Sequence, residues 1–144
     1  MSTTTDLMEG VAALLDAAGL GTWDPTGYEP GTPTPIYLRT FPHTAPSRAI
    51  KVAHYPLTAF GWETDSLEGV QVVCRAPGPD PTPCDGLADQ IRQALHDLQH
   101  VAMGGTHVSL LTWQSGANLG QDANGRWETS ANFHAITARP ARAQ

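Results

Sequence analysis

The chain has 144 residues, of which 40% are hydrophobic and 15% are charged, and its formal net charge is −6. The length predicts a single domain, residues 1–144. The eight Lys and Arg residues are scattered, which argues against tight binding of nucleic acid, and no apolar stretch is long enough to span a membrane. The first residues lack the features of a signal peptide, so we expect synthesis in a cytoplasm.

A helical pattern opens the chain. Five apolar residues recur at the spacing of one helix face: Leu7, Val11, Leu14, Leu15 and Ala18. Gly19 is a suitable residue to end this helix, because glycine adopts the left-handed backbone found there. Residues 19–35 hold many glycines and prolines, which indicates a long connection within the domain.

Three strand candidates follow, at residues 36–41, 48–55 and 69–76, where side chains alternate and β-branched residues are frequent. A loop at 56–68 separates the last two. It carries Phe60 and Trp62 among few other apolar residues. Trp is enriched in protein interfaces, so we predict that these aromatic residues anchor a subunit contact; anchoring of the core is the alternative.

The second predicted helix runs from Thr82-Pro83, a good helix start, to Gly104-Gly105. It would place His96 and His100 four residues apart, which is the spacing of the zinc-binding H-E-x-x-H motif. Asp97 replaces the glutamate, and the histidines would lie opposite the apolar face. We therefore interpret them as a solvated pair and predict no metal site.

Two strands close the chain, at 106–114 and 126–138, joined by a loop over Ser115–Gly125. Asn124-Gly125 at the end of this loop suits a tight hairpin turn. Because long ordered loops are usually functional, we predict that the loop and its margin contact other subunits or partners. The predicted contact residues are Asn118, Leu119, Asp122 and Arg126.

The predicted order of elements is therefore α-β-β-β-α-β-β. Helices interleaved with runs of hairpin-like strands are typical of the α+β class. We expect one mainly antiparallel sheet with both helices packed on one face.

Catalytic motifs are absent from the sequence: there is no nucleophile elbow, phosphate-binding loop or dinucleotide fingerprint. The remaining histidines are scattered over several elements, and their convergence in a pocket is the basis of a rival interpretation as a small enzyme. We predict no catalytic residue and no cofactor. Cys74 and Cys84 are the only cysteines; a disulfide is possible in principle, but reduced thiols are expected in a cytosolic chain.

Three blocks of the chain resemble the bacteriophage tail terminator proteins, also described as minor capsid or tail completion proteins. Residues 14–21 resemble the opening helix of that family and its glycine exit. Residues 46–52 and 67–75 resemble the central strands, and the most specific stretch is Gly-Val-Gln-Val-x-x-Arg. Residues 119–133 resemble the terminal hairpin.

The resemblance implies a structural virion protein that assembles in the host cytoplasm into a homo-oligomeric ring, with six copies expected. Such a ring caps the head-proximal end of the tail tube, contacts the tube protein and the head-tail connector or stopper protein, and lets DNA pass through its lumen without specific binding. The acidic balance fits such a channel. No membrane is involved. The alternatives are another neck or tail component (a connector subunit or tube protein) or a small metal- or ligand-binding enzyme.

Overall fold

The computed structural model describes residues 2–57 and 65–138. The elements follow in the order α1 (Thr3–Ala17), β1 (Ile36–Leu38), β2 (Ala49–Pro56), β3 (Asp65–Ala76), α2 (Thr82–Leu95), β4 (Leu98–Met103), β5 (Thr106–Gln121) and β6 (Trp127–Ala138). The strands form one six-stranded sheet in the order β1-β2-β3-β6-β5-β4. Only β1 and β2 pair in parallel. The predicted α+β class is confirmed. No helix in the described ranges is long and apolar enough to cross a membrane.

The core lies between the helices and one face of the sheet. Alternation along β3 directs Val70, Val72 and Cys74 to this face, where all three are buried. Each helix contributes one buried apolar stripe to the same cluster: Leu7, Val11 and Leu15 from α1, and Leu87, Ile91 and Leu95 from α2. The strands and helices therefore bury their apolar residues in a single layer.

Both ends of α1 follow from local chemistry. The Ser2 hydroxyl accepts the backbone N–H of Thr5 at 3.1 Å, which satisfies one of the free donors of the first turn. At the other end Gly19 has φ +77°, so the predicted glycine exit is confirmed.

The opposite face of the sheet is partly covered by the connection between β1 and β2. Arg75, on β3, is only 4% exposed there. Its Nη2 donates to the carbonyl of Pro46 at 2.8 Å and its Nε to that of Ser47 at 3.3 Å. The guanidinium also lies 4.1 Å from the centroid of the Phe41 ring. Arg75 thus fastens this connection onto the sheet.

The second helix ends earlier than the sequence indicated. The prediction that it continues to Gly104-Gly105 is wrong, because α2 stops at Leu95 and residues 98–103 form β4. Asp97 and His100 adopt left-handed backbone, with φ +62° and +54°, which a helix does not contain. The structure thus adds a strand to the predicted order, and the two histidines do not share a helix face.

The hairpin formed by β5 and β6 is longer than predicted. Ser115–Gly125 is not a loop, because β5 continues to Gln121 and only residues 122–126 turn the chain. Three register shifts along β5 accommodate the glycine-containing stretch within the ladder. Among the other predicted strands, 36–41 is shorter (β1) and 69–76 begins earlier, at Asp65.

Candidate interaction surface

The second half of β5 is an open sheet edge. Strand β4 pairs with β5 only as far as Leu98↔Leu111, whereas β6 pairs with β5 to its end. Nδ1 of His96 accepts the backbone N–H of Trp113 at 3.0 Å, so the first position beyond β4 is satisfied by a side chain. Within the described part of the chain, no strand covers residues 114–121 on this side. We call these residues the open edge. Such an edge offers unpaired backbone groups to another strand.

The open edge carries an exposed apolar side chain. Leu119 is 51% exposed, and it is the one large hydrophobic side chain of the described residues in that condition. It lies at the register shift between Asn118 and Gly120. A strand that paired with the open edge would cover this side chain as well as the free backbone groups.

The turn at the end of the hairpin is held by Asp122. Its Oδ1 accepts the backbone N–H groups of Asn124 at 2.9 Å and Arg126 at 3.0 Å, and its Oδ2 accepts Nε of Arg126 at 2.8 Å. These contacts, with the Arg126 backbone N–H first, lower the pKa of the Asp122 carboxyl. Gly125 has the left-handed backbone that the predicted turn requires, with φ +74°, whereas Asn124 does not, so the turn is longer than the two-residue type. Asp122 and Arg126 therefore shape the turn that presents the open edge.

A groove of about 440 Å³ runs between α2 and the β5–β6 hairpin. We call it the α2–β5 groove. Asp85, Asp89 and Arg92 are the charged residues of its helical wall, and Trp113 and Asn118 lie on the strand side. The Arg92 guanidinium lies 3.7 Å from the centroid of the Trp113 ring. A strand added to the open edge would lie beside this groove, whose helical wall carries two carboxylates and one guanidinium.

The structure brings four of the six predicted contact residues together. Asn118, Leu119, Asp122 and Arg126 all lie at the far end of the β5–β6 hairpin. Phe60 and Trp62 lie outside the described residues. The open edge could not be predicted from the sequence pattern, because most of its residues were assigned to a loop, and the groove depends on how the helix packs beside the strands.

The histidines do not form a reactive cluster. Nε2 of His54 lies 2.8 Å from Oε2 of Glu68, and the His100 and His107 rings stack with centroids 5.5 Å apart. Across residues 2–57 and 65–138, no group of three His, Cys, Asp or Glu side chains is placed to hold a metal ion. The described site therefore consists of backbone, apolar and charged surface suited to contacts between proteins.

Comparison with known proteins gives a family and a fold. A family model described as "Bacteriophage tail terminator protein" matches residues 14–139. The fold is similar to a chain from the structure titled "Virion of native gene transfer agent (GTA) particle", with 12% identity, a TM-score of 0.66, and coverage of 96% of this chain and 100% of that chain. A second solved structure has 15% identity, a TM-score of 0.59, and coverage of 99% and 100% respectively. No curated protein matches the chain.

Proposed function

We propose a function for this chain on the basis of its family. The chain belongs to the bacteriophage tail terminator protein family, whose members are structural proteins and not enzymes. The predicted family and the predicted lack of enzymatic activity are both confirmed by this match. The chain in our proposal forms a ring of six copies that closes the head-proximal end of a phage tail tube. One side of the ring contacts the tube protein, and the other contacts the head-tail connector or stopper protein.

The single observation that supports the ring is the open edge. A closed ring needs two unlike patches on each subunit, so that one patch meets the other around the circle. The open edge supplies one of them, because an edge strand of the next subunit can hydrogen-bond to residues 114–121. Leu119 lies on this edge, and burial of its side chain by the neighbour adds an apolar contact.

The second patch of the ring includes, in our proposal, Phe60 and Trp62. The replacement Trp62→Ala tests this assignment, because loss of a Trp anchor weakens an interface more than loss of a rim contact. Unchanged ring assembly of the Trp62→Ala protein would remove residues 56–68 from the interface.

The charge of the molecule is consistent with a passage for DNA. The net charge is −6, and the groove beside the open edge is lined by Asp85 and Asp89 with one cation, Arg92. A lumen of the same sign as the phosphates does not retain DNA, so we propose that DNA passes through the ring without specific binding. Mapping of the acidic residues to the outer wall of an assembled ring would contradict this part of the proposal.

Electron microscopy and native mass spectrometry of the purified protein, alone and with tail tubes, test the proposal. We expect a ring, or a cap at one end of each tube, and a mass of six subunits. Binding along the whole tube would instead indicate a tube protein, and binding to connectors alone would indicate a connector subunit. A protein that remains monomeric under all these conditions would contradict the ring.

The replacement Leu119→Asp separates this interface from the fold. A carboxylate at the open edge is expected to reduce ring formation at least tenfold, because burial of an unpaired charge is costly. The melting temperature of the monomer should be unchanged, since Leu119 is exposed. The matched control is Gln90→Asp, which adds the same charge at an exposed position of α2 that faces Gly19 and Leu20. Equal loss of assembly in both variants would argue against the open edge.

A further inference from the structure

We propose that Cys74 and Cys84 are the site of an intramolecular disulfide, formed when the protein meets a peroxide. The two sulfur atoms lie 3.9 Å apart in the structure and are not bonded to each other. This inference rests on the cysteine geometry and is independent of the proposed function.

The two side chains point at each other from different elements. Cys74 lies on β3 and Cys84 in the first turn of α2, and each is 1% exposed. Each sulfur lies 3.6 Å from the backbone carbonyl oxygen of the other cysteine. A bond requires the sulfur atoms to approach to about 2.0 Å. Closing the gap requires a shift of the first turn of α2, where the Thr82 N–H is bonded to the Asp80 carboxylate and the Asp85 N–H to the Pro81 carbonyl.

The surroundings of the two thiols differ, which decides which one reacts with the oxidant and which one then forms the disulfide. The pKa of the Cys84 thiol is lowered to about 7, first by its hydrogen bond with the Cys74 thiol and then by its contact with the Thr129 hydroxyl, against the opposing effects of burial and of the Asp85 and Glu128 carboxylates. The positive end of the α2 dipole acts in the same direction. The pKa of Cys74 is raised, first by its hydrogen bond with Cys84 and then by burial. Because Cys84 lies in the first turn of α2, where the helix dipole favours a thiolate, we assign it as the thiol that attacks the oxidant.

The chemistry balances with hydrogen peroxide as the oxidant. The Cys84 thiolate attacks one peroxide oxygen; an S–O bond forms, the O–O bond breaks, and the departing hydroxide takes a proton to become water. Cys74 then attacks the sulfur of the Cys84 sulfenic acid; the S–S bond forms, and hydroxide leaves with the Cys74 proton as a second water. Two electrons pass from the thiols to the peroxide. A small oxidant suits a pair that is this deeply buried.

The disulfide would tie the first turn of α2 to the centre of the sheet. Cys84 Sγ also lies 3.5 Å from the carbonyl oxygen of Trp127, so the tie is made where β3, β6 and α2 meet. The same helix provides the helical wall of the α2–β5 groove. A reducing cytoplasm keeps such thiols reduced, whereas an oxidising medium allows the disulfide to form. We expect the dithiol form in the producing cell and the disulfide form after release.

Intact mass and thiol alkylation of the full-length protein test the proposal. After reductant is removed and hydrogen peroxide added, we expect the mass to fall by two hydrogen atoms and both thiols to resist alkylation in denaturant. Dithiothreitol should reverse both changes. The melting temperature of the oxidised protein should rise by roughly 5–10 °C, because a short loop is closed in the unfolded chain.

Single variants give the control. Cys74→Ser, which keeps a hydroxyl donor beside Cys84 but removes the resolving sulfur, should trap Cys84 as a sulfenic acid, seen as the gain of one oxygen, and Cys84→Ala should leave Cys74 unmodified for longer. Neither should gain thermal stability on oxidation. The proposal is overturned if both wild-type thiols remain alkylatable after peroxide, or if the only disulfide formed joins two chains on a non-reducing gel.

Discussion

Gly69 and Arg75, the first and last residues of the Gly-Val-Gln-Val-x-x-Arg stretch, each make a contact that depends on the residue type. A Cβ atom at Gly69 would lie 2.3 Å from the Tyr55 ring, so glycine leaves the space that this ring fills. Six residues on, Arg75 fastens residues 41–47 to the sheet through two carbonyls and the Phe41 ring. The glycine and the arginine of the stretch therefore make contacts on the sheet face away from the helices, and its two valines, Val70 and Val72, are buried in the core.

The replacement Arg75→Lys should lower the free energy of unfolding by about 1–3 kcal/mol. Lysine keeps the charge but cannot donate to both carbonyls in the planar arrangement or stack in the same way on Phe41. Urea denaturation measures the change. The control is Arg39→Lys, the same exchange at an exposed position. Equal stabilities of the two variants would show that the Arg75 contacts contribute little.

The replacement Gly104→Ala should destabilise the protein by about 1–2 kcal/mol or more, whereas Gly105→Ala should be nearly neutral. Gly104 has φ +59°, and a Cβ atom there would lie 2.4 Å from Oδ1 of the buried Asp6. At Gly105 the added carbon would meet only an ordinary contact of 3.7 Å. Alanine is therefore disfavoured at Gly104 by both the left-handed backbone and the clash, and neither effect applies at Gly105. Denaturation midpoints of the two variants compare these effects, and a reversed order would contradict the geometry.

At the scale of elements, α1, β2 and β6 could be predicted from the sequence because local pattern and tertiary packing agree there. The strand β4 could not be predicted, because its apolar residues also fit the preceding helix. Leu98 and Val101 are three residues apart, which fits one face of a helix, yet in the sheet they pair with Leu111 and Val108. The bend at His100 lets both side chains reach the core from a strand. Local periodicity did not distinguish these two conformations.

The open edge was missed for a different reason. Residues 114–121 are rich in glycine and small polar side chains, which are typical of a loop. The hairpin register contained a usable signal, since a tight turn at Asn124-Gly125 requires the residues before it to pair with β6. A long strand after the turn therefore implies a comparably long strand before it. The four predicted contact residues at this end lie on one hairpin, and their role in contacts stays a prediction.

The end of α2 can be tested at Asp97. A β-branched residue is strongly disfavoured at φ +62°, so Asp97→Val should lower the free energy of unfolding by about 1–2 kcal/mol. Asp97→Asn should be nearly neutral, because asparagine tolerates left-handed backbone. Urea denaturation of both variants gives the comparison. If the valine variant were as stable as the asparagine variant, a helix continuing through this position would be the better description.

At the scale of the whole molecule, ring formation should change the protection of the backbone. Amide hydrogens of residues 114–121 that face away from β6 have no strand partner among the described residues, and we expect them to exchange about tenfold more slowly in the proposed ring. Hydrogen exchange with mass spectrometry, on the wild type and on Leu119→Asp, measures this difference. Peptides from β3 should be protected equally in both. Rapid exchange at 114–121 in a fully assembled ring would place the subunit contact elsewhere.

The register shifts along β5 have a consequence for the subunit before it assembles. Two of them, at Trp113/Ser115 and Asn118/Gly120, flank or interrupt the open edge. An irregular edge is a poor template for the flat, repetitive stacking of amyloid, because an arriving strand must reproduce the same bends to pair along its full length. The single chain is therefore expected to resist such stacking and to pair with a strand of matching shape.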